Sequence, residues 1–226
     1  MKKLAIAIVL IIIITLASLY TKREIYNSKR QLQITKNEIK NLADNHILKE
    51  GDLIFQTSTS RQSKAIQIAT KSKFSHCGII FKDATSFYVF EAVQPVKKTS
   101  LNDWIARGKN GKFVVKRLKN ARRIITPQNI DKMKLICNQF TDKEYDKTFE
   151  WSDDKMYCSE LIWKIYKKAI GIEIGELEQL KDFDLSSPEV KKIMIERYGD
   201  NIPYNEKVIS PISIFNCNLL ETVKEY

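Results

Sequence analysis

Tyr157-Cys158-Ser159-Glu160-Leu161-Ile162 follows a polar, acidic loop at residues 151–156 and opens an apolar helical pattern. Cys158, Leu161, Ile162, Ile165 and Ala169 stand at i, i+3, i+4, i+7 and i+11, which is one face of a helix. The spacing predicts a cysteine in a helix's first turn, on the side turned towards the protein. Unpaired N–H groups and the helix dipole favour an anion there, so a thiol's pKa falls and the thiolate becomes a usable nucleophile. A small buried residue is equally at home in that position. The chemistry therefore depends on what else the chain supplies.

Thiol hydrolysis needs an imidazole to generate the thiolate and protonate the leaving group, and a polar group to orient the imidazole. The chain has two histidines. His46 precedes the first strand pattern and belongs to no motif. His76 starts the β-rich run Phe74-Ser75-His76-Cys77-Gly78-Ile79-Ile80-Phe81, and Glu91 ends the run Phe87-Tyr88-Val89-Phe90-Glu91 that returns after a turn at residues 82–86. If residues 79–81 pair with residues 87–89, Glu91 falls about two positions from His76 on the neighbouring strand. A lone acid in so apolar a strand is costly unless paired. Each residue alone has an ordinary structural explanation; their joint occurrence points to a Cys-His-Glu set.

The elements that must carry these residues read as follows. Gly51-Asp52 makes a turn before the short strand Leu53-Ile54-Phe55, and residues 61–71 carry a helical pattern. Ser100 is the expected N-cap of a short helix with Leu101, Trp104 and Ile105, followed by a strand over 112–118. Pro127 opens a helix running to about Phe140, and the Cys158 helix ends near Gly171. The tail from Leu177 to Tyr226, with Pro188, Pro203 and Pro211, reads as an irregular wrap, with residues 208–212 as a final extended segment. Meandering strands followed by helices indicate an α+β fold with an antiparallel sheet.

Composition narrows the function classes. The chain has 226 residues, 43% hydrophobic and 10% aromatic, which suits one globular domain plus an appendage. Its formal charge of +11 suggests attraction to anionic lipid or polymer. No zinc-finger spacing, helix-turn-helix cue or aromatic-basic motif is present, so no nucleic-acid partner is expected. Cys77, Cys137, Cys158 and Cys217 are widely spaced, without C-x-x-C, and with two imidazoles a structural metal site is not expected; no cofactor is called for. Lys2 and Lys3 precede a 17-residue apolar run from Leu4 to Tyr20, closed by Lys22 and Arg23. This run predicts an N-terminal transmembrane helix, kept as an uncleaved anchor in preference to a cleaved signal. Residues 22–45 read as a polar helical stalk, with Ile25, Leu32, Ile39 and Leu42 as its apolar positions. The organisation expected is a membrane anchor or signal segment at 1–21, the stalk at 22–45 and a catalytic domain at 46–226, extracytoplasmic in the periplasm or at the cell surface.

Gly51-Asp52-Leu53-Ile54-Phe55, Phe74-Ser75-His76-Cys77-Gly78-Ile79, Phe90-Glu91-Ala92 and Tyr157-Cys158-Ser159-Glu160-Leu161 stand in an order and spacing that resembles the YiiX/YaeF-like permuted papain-fold hydrolases. These are circularly permuted relatives of the NlpC-type cell-wall peptidases and are similar to the lecithin:retinol acyltransferase group. The resemblance covers about residues 46–218, with Ser210-Pro211 as a closing segment. It implies a permuted papain-like fold with Cys158 as nucleophile, His76 as general base and acid, and Glu91 as the orienting residue. Tyr157 matches an aromatic that shapes the site or binds the oxyanion, beside the backbone N–H of Cys158. Cys77 stands where the family usually has a small apolar residue, and is expected as filler pointing away from the His76 side. The implied reaction is hydrolysis of an amide bond, in a cell-wall peptide or small acyl-amino compound, through an acyl-enzyme. The alternatives are a lipid acyltransferase or acyl hydrolase, or a non-catalytic module that only holds a peptide, acyl-amino or lipid ligand.

Overall fold

The computed structural model describes residues 2–84 and 86–226, excluding the side chains of residues 2–9, 25, 27, 28, 31, 32, 35 and 61. A long helix α1 (Lys2–Asp44) leads into β1 (Asp52–Gln56), α2 (Arg61–Ala69), and the hairpin of β2 (His76–Asp83) and β3 (Ser86–Glu91). Then follow β4 (Lys97–Ser100), α3 (Leu101–Ala106), β5 (Val114–Leu118), α4 (Ala121–Ile124) and α5 (Pro127–Phe140). The chain closes with α6 (Cys158–Ile170), β6 (Glu178–Gln179), α7 (Pro188–Tyr198), β7 (Lys207–Val208), α8 (Pro211–Phe215) and β8 (Leu220–Glu225).

Six strands form one antiparallel sheet in the order β4-β3-β2-β1-β5-β8, and β6 pairs with β7 apart from it. Strand alternation sorts the core into two layers. Leu53, Phe55, Cys77, Ile79, Phe81 and Phe90 face one way, towards α5, α6 and α8. Ile54, Ile80, Val89 and Val115 face the other, where they meet Leu101, Trp104 and Ile105 of α3 and Ile39 and Leu42 from the end of α1. Asp52, at the start of buried β1, is held bidentately by Arg117 of β5, with Nε at 2.6 Å and Nη2 at 2.7 Å. The antiparallel sheet with helices packed on it agrees with the expected α+β class.

Local signals place the helices well. Ser100 accepts from the Asp103 N–H (3.1 Å) and caps α3. Thr126 accepts from the Asn129 N–H (3.2 Å) ahead of Pro127, and Gly171 stops α6 in the left-handed conformation at φ 73°. The tail departs from the expected wrap. Ser187 caps a three-turn helix, α7, and Ser210 caps α8 where an extended segment was expected. The last residues form β8, an edge strand of the main sheet.

The N-terminal expectation needs a correction. Among the described residues no helix is long and apolar enough to cross a membrane. The helix then runs on without a break into the charged stretch, so anchor and stalk form one continuous α1. The side chains of residues 4–9, and those of Ile25 and Leu32 in the stalk's stripe, lie outside the described set, as does Thr85 in the expected turn.

The hairpin register decides where His76 and Glu91 meet. Ile79 pairs with Phe90 and Phe81 with Tyr88, one residue displaced from the expected pairing. Extended by one step, it sets Glu91 opposite Gly78, two positions from His76 and on the same face. Gly78 is required there: a Cβ would lie 2.3 Å from Val89 Cγ1 and 3.5 Å from Glu91 Cβ. Gly78→Ala is expected to cost ~1–3 kcal/mol through overpacking, seen as a lower denaturation midpoint at unchanged m. An unaltered midpoint would contradict this register.

Candidate active site

The site starts from the N-terminus of α6. Tyr157 is the extended N-cap residue (φ −108°, ψ 167°), its N–H reaching Glu160 at 3.4 Å, so Cys158 occupies the first turn. Cys158, Leu161, Ile162 and Ile165 are all buried, on the face that the spacing predicts. The tail pins this turn from outside. Ile209 donates its N–H to the Tyr157 hydroxyl (3.0 Å) and accepts from the Ser159 hydroxyl at its carbonyl (2.7 Å), so residues on both sides of Cys158 grip the backbone of one residue.

His76, the first residue of β2, lies over Trp104 with ring centroids 5.7 Å apart. Its Nε2 is 2.6 Å from Glu91 Oε2, and the ring also hydrogen-bonds Cys158, for which Nδ1 remains. Glu91 is fully buried and its second oxygen accepts from Thr99 Oγ1 (2.6 Å) and from the Arg107 guanidinium. Cys158, His76 and Glu91 are thus brought into one hydrogen-bonded line. His46 is exposed at the end of α1, outside it.

The charges along this line sustain one another. Burial pushes the Glu91 carboxyl up, but hydrogen bonds from His76 and Thr99 and the Arg107 charge outweigh it and hold the group below its ordinary value. Burial pulls His76 down, yet its bonds to Cys158 and Glu91 raise it to about 9. A hydrogen bond from the Cys77 thiol, then the bond and charge of His76 acting against burial, hold Cys158 well below an ordinary thiol. These shifts all favour a thiolate–imidazolium pair with Glu91 ionised behind it.

Cys77 needs a correction. It does point to the face opposite His76, as strand alternation requires, but that face is where Cys158 lies. Its thiol and backbone N–H both reach the Cys158 sulfur, so it is a contact of the site as well as filler. Tyr157, expected as a wall or an oxyanion donor, accepts at its hydroxyl from the Ile209 N–H and sets its ring against Phe149, 5.0 Å away edge to face. Sequence reasoning missed Tyr145, whose hydroxyl accepts from Gln62 Nε2 (3.0 Å). Burial and the nearby Cys158 charge push this phenol up, so it keeps a proton to donate. Thr99 and Arg107 were also missed. One sits in a polar run and the other among 38 basic residues, and neither position carries a local signal.

The family model for the permuted papain-like amidase enzymes, the YaeF/YiiX or C92 family, matches residues 47–224. The uncharacterized protein YiiX of Escherichia coli (strain K12) is 48% identical over 173 residues, 76% of this chain and 84% of that protein. A crystal structure described as metalloprotein yiiX from Escherichia coli O157:H7 superposes with a TM-score of 0.75 at 46% identity, covering 79% of this chain and 97% of that one. The chain belongs to the permuted papain-like amidase family and is a cysteine hydrolase of the amidase type. For a metal, the donors at the site fit poorly: the imidazole, carboxylate and thiolate are already engaged with one another. Among the described residues no group of three or more His, Cys, Asp or Glu is placed to hold an ion.

The linked charges have a measurable consequence. The His76 ring should stay protonated until about pH 9 and titrate there as one step of a coupled pair. Cys158→Ser removes the thiolate and should lower that titration, followed by NMR of the ring protons. A wild-type ring titrating near 6.5 would refute the ion pair.

Proposed function

We propose that this amidase-family chain hydrolyses an amide bond, in a peptide or small acyl-amino compound, through an acyl-enzyme on Cys158. The observation that carries the reading is the unbroken hydrogen-bonded line from Cys158 through the His76 ring to the buried Glu91 carboxyl, with the pKa shifts along it favouring a thiolate and a protonated ring. The Cys158 thiolate attacks the carbonyl carbon, and His76 gives its proton to the departing amine. Neutral His76 then takes a proton from the water that hydrolyses the thioester. Glu91 holds the ring with Nδ1 towards the sulfur and stabilises its charge, and Thr99 and Arg107 fix Glu91 in turn. A ligand-holding module has no use for a buried charge pair of this kind.

The oxyanion that forms on attack needs donors positioned beforehand. The backbone N–H of Cys158, in the unpaired first turn of α6, is one. The Tyr145 hydroxyl, oriented by Gln62, is the second in this reading. Tyr157 then serves as a wall and as an anchor for the helix start.

Two measurements test this assignment. Alkylation of the full chain with iodoacetamide should modify Cys158 ahead of Cys77, Cys137 and Cys217 well below pH 8, and His76→Ala should abolish that preference. Uniform slow labelling of all four thiols would sink the proposal. Tyr145→Phe should lower kcat by about 10²–10³ while leaving the alkylation rate near wild type, since it removes an oxyanion donor and leaves the ion pair. An unchanged kcat would remove Tyr145 from the oxyanion site.

A further inference from the structure

Two hollows open on either side of the Cys158–His76 pair and meet at Gln62, Ile66 and Tyr145, which line both. Their chemistry differs sharply. On the Cys158 flank the cavity lies between α2 and α7, about 90 Å³ in volume, with Ala65, Leu180, Val190, Met194 and the Tyr157 ring among its walls. Its one charged lining residue, Arg197, has its guanidinium 5.0 Å from the Phe149 ring centroid, stacked on that ring. On the His76 flank the hollow is larger, about 520 Å³, and mixed in character, with Gln56, Ser75, Gln94 and Arg107 set among Ala92 and Val93. There Gln56 Oε1 is buried with no hydrogen-bond partner among the described residues, an acceptor in want of a donor.

The mechanism gives these flanks different tenants. The imidazolium must reach the leaving nitrogen, so the amine half of the substrate leaves on the His76 side. The acyl half stays bonded to sulfur and must extend the other way. We infer that the substrate is an N-acyl amine with a short aliphatic acyl group seated between α2 and α7, and a polar, N–H-bearing amine half in the His76 hollow. This rests on the proposed thiol mechanism. The Cys158 sulfur bonds to the carbonyl carbon as the C–N bond breaks, and the His76 proton leaves with the amine. Water then cleaves the thioester, releasing the carboxylic acid and returning the proton to His76. Peptides with a charged side chain beside the scissile carbonyl are poor tenants of this cavity, since its walls are otherwise apolar and its one guanidinium is already stacked on Phe149.

The test uses the full chain and the p-nitrophenyl esters of acetic, butanoic, pentanoic, hexanoic and octanoic acids, with the glutaric monoester as the carboxylate-ended partner of the pentanoate. Acylation is read from the p-nitrophenolate burst and from the mass of the Cys158 peptide. The second-order acylation constant should rise roughly fourfold per methylene and flatten once the small cavity is full. Ala65→Phe, which occupies the cavity, should bring the hexanoyl-to-acetyl ratio towards one. Leu185→Ser, a half-buried lining position, should lower the same ratio should the first variant fold poorly. Acylation of Cys158 that ignores chain length, or a glutaryl ester faster than the pentanoyl, would overturn the acyl-pocket inference alone. No acylation of Cys158 by any ester would overturn the thiol mechanism and this inference with it.

Discussion

Everything at the site depends on keeping one carboxylate ionised out of water. Glu91 has no exposed surface, and a bare charge there would cost several kcal/mol. Three groups from three places in the chain offset that cost: His76 at the start of β2, Thr99 in β4 and Arg107 just beyond α3. Their positions follow from strand pairing. β3 lies between β2 and β4, so a residue at the end of β3 can be reached from both neighbours. The carboxylate so held favours the charged form of the His76 ring, and the charged ring in turn favours the thiolate.

The sulfur's own place is set by a second constraint, the closure of the tail over the start of α6. Ile209 is fifty-odd residues beyond Cys158 in the chain, yet its N–H and carbonyl are both satisfied by side chains next to the nucleophile. The same tail returns β8 to the sheet edge and lays α7 against α2. One excursion of chain therefore holds the helix start, closes the sheet and builds the apolar cavity beside the thiolate. The thiol site and the apolar cavity beside it thus share one supporting segment.

The sequence was most legible where a local rule had no competitor. The Cys158 helix face, the Pro127 start and the Ser100 cap each follow from a few neighbouring residues, and the structure has them at those positions. It was least legible in the tail, where α7 and β8 take their form from what they pack on. The apolar run at the N-terminus has residue types that suit a bilayer, yet among the described residues no helix is long and apolar enough to cross one, and α1 flows directly into charge. The hairpin was right in kind and one residue out in register, since short β runs specify pairing weakly until a buried face selects it.

By itself the sequence determined the α+β class and the helix that presents Cys158, and it singled out His76 and Glu91 as candidates from among two imidazoles and many acids. It could do so because each is a matter of residue type, periodicity or scarcity along the chain. Only the tertiary structure decided that Thr99 and Arg107 hold Glu91, that Cys77 touches Cys158, that Tyr145 lines the cavity beside it, and that one flank of the site is apolar and the other mixed. Those contacts join residues far apart in the chain whose local surroundings are ordinary, and a hydrogen bond or a cavity wall leaves no mark on the spacing of either partner. The opening in the first turn of a helix was visible from residue types alone; the charge that fills it comes from across the sheet.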